Sequence, residues 1–173
     1  MEDYIYEFNS NFCTQSPSAE YSHNSIKFGA NVLPIYLNIN DQKNPDYNPK
    51  CAAMILDFGS TPQDVGEIYF KNYYTYIISI LVMKISNTDP KKLKKWYIAI
   101  RQKKIMDNTH TEFQSQDYVC IQSSESEIDW SDLYKIKLIL RQPSPNWSKF
   151  GIDDVKVVRK IQLENVSIPY VEN

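Results

Sequence analysis

Residues 134–159 read YKIKLILRQPSPNWSKFGIDDVKVVR, and the spacing of their apolar side chains decides the fold class. Ile136, Leu138 and Leu140 alternate with Lys135, Lys137 and Arg141. This places three aliphatic side chains on one face and charge on the other, as a half-buried strand requires. Pro143 and Pro145 lack the N–H that a ladder needs and hold their predecessors extended, so the chain must leave the sheet over residues 142–146. Residues 150–158 read as a returning strand. There Phe150 and Ile152 precede Val155 and Val157, and the change of inward parity across Asp153 and Asp154 predicts a bulge or tight kink at that carboxylate pair. Two strands joined by a rigid corner carrying Trp147 are expected at the centre of the architecture.

Upstream, the same period recurs. Ile35, Leu37 and Ile39 alternate before a dense turn cluster, NDQKNPDYNP, at residues 40–49. Met54, Leu56 and Phe58 alternate next. Ile68 and Phe70 lead into residues 76–85, which are apolar on both faces, the pattern of a strand covered on both sides in the middle of a fold. Trp96, Ile98 and Ile100 alternate with Tyr97, Ala99 and Arg101, and residues 118–121 form a short apolar run before the acidic Ser/Glu segment 123–129. At least seven short strands and no long helix predict an all-β protein, an antiparallel β-sandwich or jelly roll. Residues 129–133 predict one helical turn capped by Asp129. No internal repeat is evident. The expected organisation is an extended N-terminal arm over residues 1–25, a β-sandwich domain over 26–162 and a C-terminal tail over 163–173. Within the arm Tyr4, Tyr6 and Phe8 alternate, which fits either a loose tail or a short strand added to a sheet edge.

Composition excludes more than it assigns. At 173 residues the chain is one domain by length. A net charge of −2 and a pI near 5.7 supply no global basic field, so no nucleic-acid partner is expected and any charged partner must meet a local patch. Cys13, Cys51 and Cys120 form no Cys-x-x-Cys pair, and the start MEDYIYEFNS has neither the basic residues nor the apolar run of a signal peptide. A reducing, cytoplasmic setting is expected, in which the Asn146-Trp147-Ser148 and Asn165-Val166-Ser167 sequons stay unmodified. The longest apolar run, residues 76–83, contains Ser79 and is too short to cross a bilayer. With glycine only at positions 29, 59, 66 and 151, neither a P-loop nor a dinucleotide fingerprint can be built, and no cofactor is expected. His23 and His110 lie in polar segments without zinc-ligand spacing and read as loop residues, so the chain reads as no enzyme. Asp153 and Asp154 read as turn residues, although paired carboxylates also suit part of a Ca²⁺ shell.

Three features carry an interaction reading beside a plainer one. Lys91, Lys92, Lys94 and Lys95 form a compact cationic loop before Trp96, either a solvated connection or a patch for an acidic surface. Tyr73 and Tyr74, amphipathic aromatics at the start of the apolar run, suit a core edge or an interface. Trp147, held by the Pro-Ser-Pro corner, is either a plug over the sandwich end or an exposed anchor.

Residues 68–75, IYFKNYYT, and residues 138–145, LILRQPSP, with Trp147 just after, resemble two signature stretches of the nicolin family. The last pair of strands is also similar to the end of discoidin-type, galactose-binding-like sandwiches, which implies a jelly roll. The nicolin resemblance implies a noncatalytic scaffold subunit of the tubulin polyglutamylase complex, whose ligase activity resides in a tubulin-tyrosine-ligase-like chain. Its implied partners are the polyglutamylase subunits, in the cytoplasm and cytoskeleton, with the cilium, axoneme or basal body as the expected site. An alternative is a structural component of ciliary axonemal microtubules, with tubulin and axonemal proteins as partners. The galactose-binding-like resemblance implies a third reading, a Ca²⁺- or carbohydrate-binding module, which the cytosolic features and the lack of a ligand cluster weigh against.

Overall fold

A computed structural model describes residues 24–35, 50–86 and 91–160. Within them eight strands run in the order β1 (Gly29–Pro34), β2 (Cys51–Asp57), β3 (Val65–Tyr73), β4 (Ile77–Ile85), β5 (Lys94–Lys104), β6 (Tyr118–Gln122), β7 (Lys135–Arg141) and β8 (Gly151–Arg159). They form a five-stranded sheet, β1-β2-β7-β4-β5, and a three-stranded sheet, β6-β3-β8, and every strand pair is antiparallel. This is the expected all-β antiparallel sandwich of the jelly-roll kind.

The alternation at Ile136, Leu138 and Leu140 organises the core. β7 pairs with β2 on one side and β4 on the other, and the registers align Met54, Leu138 and Ile80 in one row and Leu56, Ile136 and Val82 in the next. All six side chains are buried, facing Ile68, Phe70, Ile121, Ile152 and Val157 of the second sheet. Each fully buried aliphatic contributes about 1.5–3 kcal/mol relative to exposure. Trp130 and Leu133 also join the core.

At the proline corner the chain leaves β7 as expected, but it does not return beside it. The Gln142 N–H makes a last bond to the Lys50 carbonyl (3.0 Å), and the chain then crosses to the other sheet, where β8 pairs with β3 as an edge strand. The expectation that both strands are central therefore holds for β7 alone. Without an N–H at Pro143 and Pro145 no tight hairpin register can form, and Ile152 and Val157 are buried by facing β7 across the sandwich. The predicted bulge is present. Lys71 lies opposite Asp153 and Tyr69 opposite Lys156, leaving an extra residue on β8, and Asp154 adopts φ +50°.

Three other expectations are corrected. First, β5 carries its own irregularity. Ile80 lies opposite Ile100 while Leu81 lies opposite Ile98, so Ala99 and Tyr97 turn inward and Trp96 and Ile98 turn outward. The alternation of Trp96, Ile98 and Ile100 does not mark a single face. Second, residues 129–133 form no helical turn. Their backbone serves the start of β3: the Val65 N–H bonds the Trp130 carbonyl (2.9 Å), and Gln63 and Leu133 exchange two bonds of 2.9 Å. The short 3-10 turn lies instead at Ser123–Glu125, inside the acidic segment. Third, β4 does sit between β7 and β5, but only one of its apolar faces meets the second sheet. Ile77, Leu81, Met83 and Ile85 point away from it and are half-buried. Before the strand expected at Ile35, Leu37 and Ile39, β1 runs from Gly29 to Pro34, and the Ile35 N–H bonds the Cys51 carbonyl (2.8 Å) just after it ends. Leu37 and Ile39 lie outside the described residues, as do the Tyr4, Tyr6 and Phe8 motif and the C-terminal tail.

Candidate protein-interaction site

The end of β3 turns sharply into β4, and a buried asparagine holds the turn. The Asn72 amide accepts from the Thr75 N–H (3.0 Å) and donates to the Thr75 carbonyl (3.0 Å), while the Thr75 hydroxyl donates to the Gly151 carbonyl (2.7 Å). Tyr74 between them takes φ +56°, a left-handed backbone unusual for a bulky residue, and its N–H bonds the Ser115 carbonyl (2.8 Å). A conformation of this kind costs of order 1–3 kcal/mol and persists because its neighbours over-determine it.

The proline corner meets this turn. Tyr73 and Tyr74 stack edge-on with centroids 5.0 Å apart, and the Tyr74 ring lies 4.4 Å from that of Trp147 at 37°. The Trp147 indole N–H donates to the Thr109 carbonyl (2.8 Å), and the Lys50 ammonium donates to the Ser144 and Trp147 carbonyls (3.0 and 3.1 Å). Gln142, fully buried, donates to the Tyr74 carbonyl and accepts from the Ser144 N–H (3.0 Å) and the Thr109 hydroxyl. Trp147 is thus neither a full plug nor a free anchor. One face is stacked and its N–H satisfied, while the ring borders a shallow cleft of about 190 Å³ lined by Tyr73, Tyr74, Asn146, Trp147, Ser148 and Lys149. Tyr74 serves as a core edge and Tyr73, at 38% exposure, as a surface aromatic.

Two aromatics missed in the sequence reading belong to the same end. Phe113 is 67% exposed in the loop whose Gln114 carbonyl accepts from Asn72 (3.3 Å), and Tyr118 is 72% exposed on β6 opposite Lys71, two residues before Tyr73. For Phe113 the available signal was a lone aromatic in a polar stretch, HTEFQSQ.

The lysine loop is elsewhere. Lys94 pairs with Ile85 at the far end of β4, whereas Arg141, just before the proline corner, pairs with Ile77 at its near end. The seven residues of β7 separate the two regions by about 20 Å. Lys91 and Lys92 precede β5, Lys92 with φ +48°, and Lys95 lies opposite Lys84. The Lys94 ammonium sits 3.6 Å over the Tyr134 ring and, behind Lys135 and the Gly59 N–H, helps hold the Asp57 carboxyl below its ordinary range.

Reactive constellations do not assemble among the described residues. The His110 Nδ1 lies 2.9 Å from the Ser144 hydroxyl, but that hydroxyl also accepts from the Asn146 N–H (3.2 Å), and both bonds brace the corner. No three His, Cys, Asp or Glu side chains gather to hold a metal among the described residues. Burial pushes the Asp153 carboxyl up, with Lys71 opposing and Asp154 adding to the rise. Burial also raises the Cys120 thiol, which lowers its reactivity. The Tyr69 hydroxyl, donating to Glu67, is held protonated. His23 and Cys13 lie outside the described residues.

Fold and site define a jelly-roll-type β-sandwich domain with a braced aromatic corner at one end. Solved structures share the fold at 11% sequence identity. Reduced XRCC1 bound to the DNA pol beta catalytic domain superposes with a TM-score of 0.55, covering 79% of this chain and 99% of the matched one. The solution structure of the XRCC1 N-terminal domain superposes with a TM-score of 0.50, covering 64% and 74%. In sequence the chain is similar to Nicolin-1 of Mus musculus, at 30% identity over 127 residues. The match takes in 73% of this chain and 59% of Nicolin-1, so the chain spans about three-fifths of that relative's length. No protein-family model matches.

Proposed function

We propose that this chain is a noncatalytic, microtubule-associated interaction subunit that works by contact within the tubulin polyglutamylase assembly, in the cytoplasm and cytoskeleton. Its similarity to Nicolin-1 supports the assembly. The braced aromatic corner carries the contact reading, because Tyr74 and Trp147 are held by bonds from the segments of Thr109, Ser115 and Gln142, with Tyr73 edge-on against Tyr74, around a shallow cleft. Rigid aromatics anchor interfaces because they bury large area at little entropic cost. Phe113 and Tyr118 widen the apolar surface at this end.

The test is affinity capture of the tagged chain from ciliated cells, in parallel with Tyr73→Ala and Trp147→Ala. Recovery of a tubulin-tyrosine-ligase-like chain, lost in either variant while the fold persists, supports the proposal. Recovery of axonemal proteins without any ligase-like chain replaces it with the structural axonemal reading. ATP-dependent incorporation of glutamate into tubulin by the purified chain alone overturns the noncatalytic assignment.

A further inference from the structure

Charge is divided unequally between the two sheets. In the five-stranded sheet β5 carries five lysine or arginine residues, β7 three and β4 one, against a single carboxylate, Asp57. In the three-stranded sheet Glu67, Asp153 and Asp154 balance Lys71, Lys156 and Arg159. A chain with a net charge of −2 therefore concentrates its positive charge on one sheet.

The outer face of that sheet is built in a particular way. Parity with the buried Ile136, Leu138 and Leu140 turns Lys135, Lys137, Ile139 and Arg141 outward on β7, and the irregularity in β5 turns Trp96 and Ile98 outward beside Leu81. The Lys137 ammonium lies 4.5 Å over the Trp96 ring, the Lys94 ammonium covers Tyr134, and Ile98 is 46% exposed. Among the described residues no strand or helix lies over this face, since the three-stranded sheet packs against the other. Cations on β7 and β5 stand two strand spacings apart, about 10 Å, a distance that two or three residues of an extended chain span.

We infer that the outer face of β7, β4 and β5 docks an extended, glutamate-rich polypeptide segment with interspersed apolar residues. The carboxylates meet Lys94, Lys137 and Arg141, and the apolar side chains pack on Leu81 and Ile98, beside the Trp96 ring that Lys137 caps. Charge complementarity selects this occupant. A single-stranded nucleic acid needs stacking planes, whereas aliphatic side chains separate the cations here and Lys137 already caps the Trp96 ring. A membrane needs a cluster of protruding apolar groups, whereas beside the exposed Ile98 the neighbouring Leu81 and Ile139 are half-buried in the sheet face. The inference rests on this face and not on the aromatic corner or on membership of a ligase assembly.

The experiment measures fluorescence anisotropy of a fluorescein-labelled synthetic peptide of repeated Glu-Glu-Phe against the full chain. The expected result is saturable binding that weakens with salt. The Lys94→Glu/Lys137→Glu double variant should lose affinity at least about tenfold. Ile98→Asp should lose affinity as well, while Lys94→Arg/Lys137→Arg and Lys156→Glu, on the other sheet, bind like the wild type. Circular dichroism of each variant separates lost binding from lost fold. Absent binding, or equal binding by the charge-reversed protein, overturns the inference. So does tighter binding to polyuridine or to phosphatidylserine vesicles, or a wild-type dimer that charge reversal dissolves. Ligase capture fails independently: its loss with peptide binding intact defeats the proposed function alone, and the converse defeats this inference alone.

Discussion

The Tyr74 ring lies 4.4 Å from the Trp147 ring, joining the turn after β3 to the proline corner after β7. Each ring is positioned by a different hydrogen-bond set, Tyr74 by Asn72 and Ser115 and Trp147 by Thr109 and Lys50. Gln142 links the two through the Tyr74 carbonyl and the Thr109 hydroxyl. The corner therefore behaves as one unit, and substitutions within it should separate stability from recognition.

Trp147→Ala removes a half-buried ring, its stack and one bond. It should lower stability by about 1–2 kcal/mol and raise partner dissociation by an amount worth about 2 kcal/mol or more. Trp147→Phe keeps the stack, loses the bond to Thr109 and should cost about 1 kcal/mol of stability with partner binding largely retained. Urea unfolding and dissociation rates measured on both proteins check the separation. Wild-type dissociation by the folded alanine variant removes Trp147 from the interface.

Asn72→Ala leaves buried backbone groups of Thr75 unpaired and frees the turn that holds Tyr74 left-handed. A loss of about 2–4 kcal/mol is expected from the unsatisfied groups. It should come with increased hydrogen exchange at Tyr74 and Thr75, and a cost below about 0.5 kcal/mol would show that the turn stands without the amide.

Leu138 is fully buried between Met54 and Ile80, while Lys137 faces outward over Trp96. Leu138→Ala should cost about 2–5 kcal/mol, and Lys137→Ala should stay within about 0.5 kcal/mol. Equal small losses in chemical denaturation would contradict the register.

Two carboxylates should give opposite pH signatures. The Asp57 carboxyl is lowered in the fold, chiefly by Lys135, so its ionised form stabilises above the unfolded carboxylate pKa near 3.9, and that contribution disappears as pH falls through the folded value. Asp57→Asn should lower the melting temperature at neutral pH by a small, salt-sensitive amount that vanishes in acid, because the pair is exposed. The Asp153 carboxyl is raised by burial, so ionising it opposes folding, and the penalty grows from the unfolded pKa up to the folded value. Asp153→Asn should raise the melting temperature at neutral pH and converge with the wild type at low pH. Melting curves across pH test both signs, and a destabilising Asp153→Asn at neutral pH would contradict the second.

The sequence by itself determined the local pattern. Strand period, the exit at Pro143 and Pro145 and the bulge at Asp153 and Asp154 depend on neighbouring residues alone: alternation decides which side chains share a face, and a missing N–H decides where a ladder stops. Tertiary structure decided the rest, because alternation does not state which strand lies alongside or which face looks inward. β8 joins β3 rather than β7. Trp96 and Ile98 point outward because β5 carries extra residues opposite Ile80 and Leu81. Residues 129–133 gave up a helical turn to pair with the start of β3. The lysine loop and the aromatic corner, equally conspicuous in the sequence, lie at opposite ends of β7, whereas Tyr74 and Trp147, distant in the chain, touch. Sheet order and layer packing are long-range contacts, and only their closure brought the aromatic corner together and gathered the positive charge on one sheet.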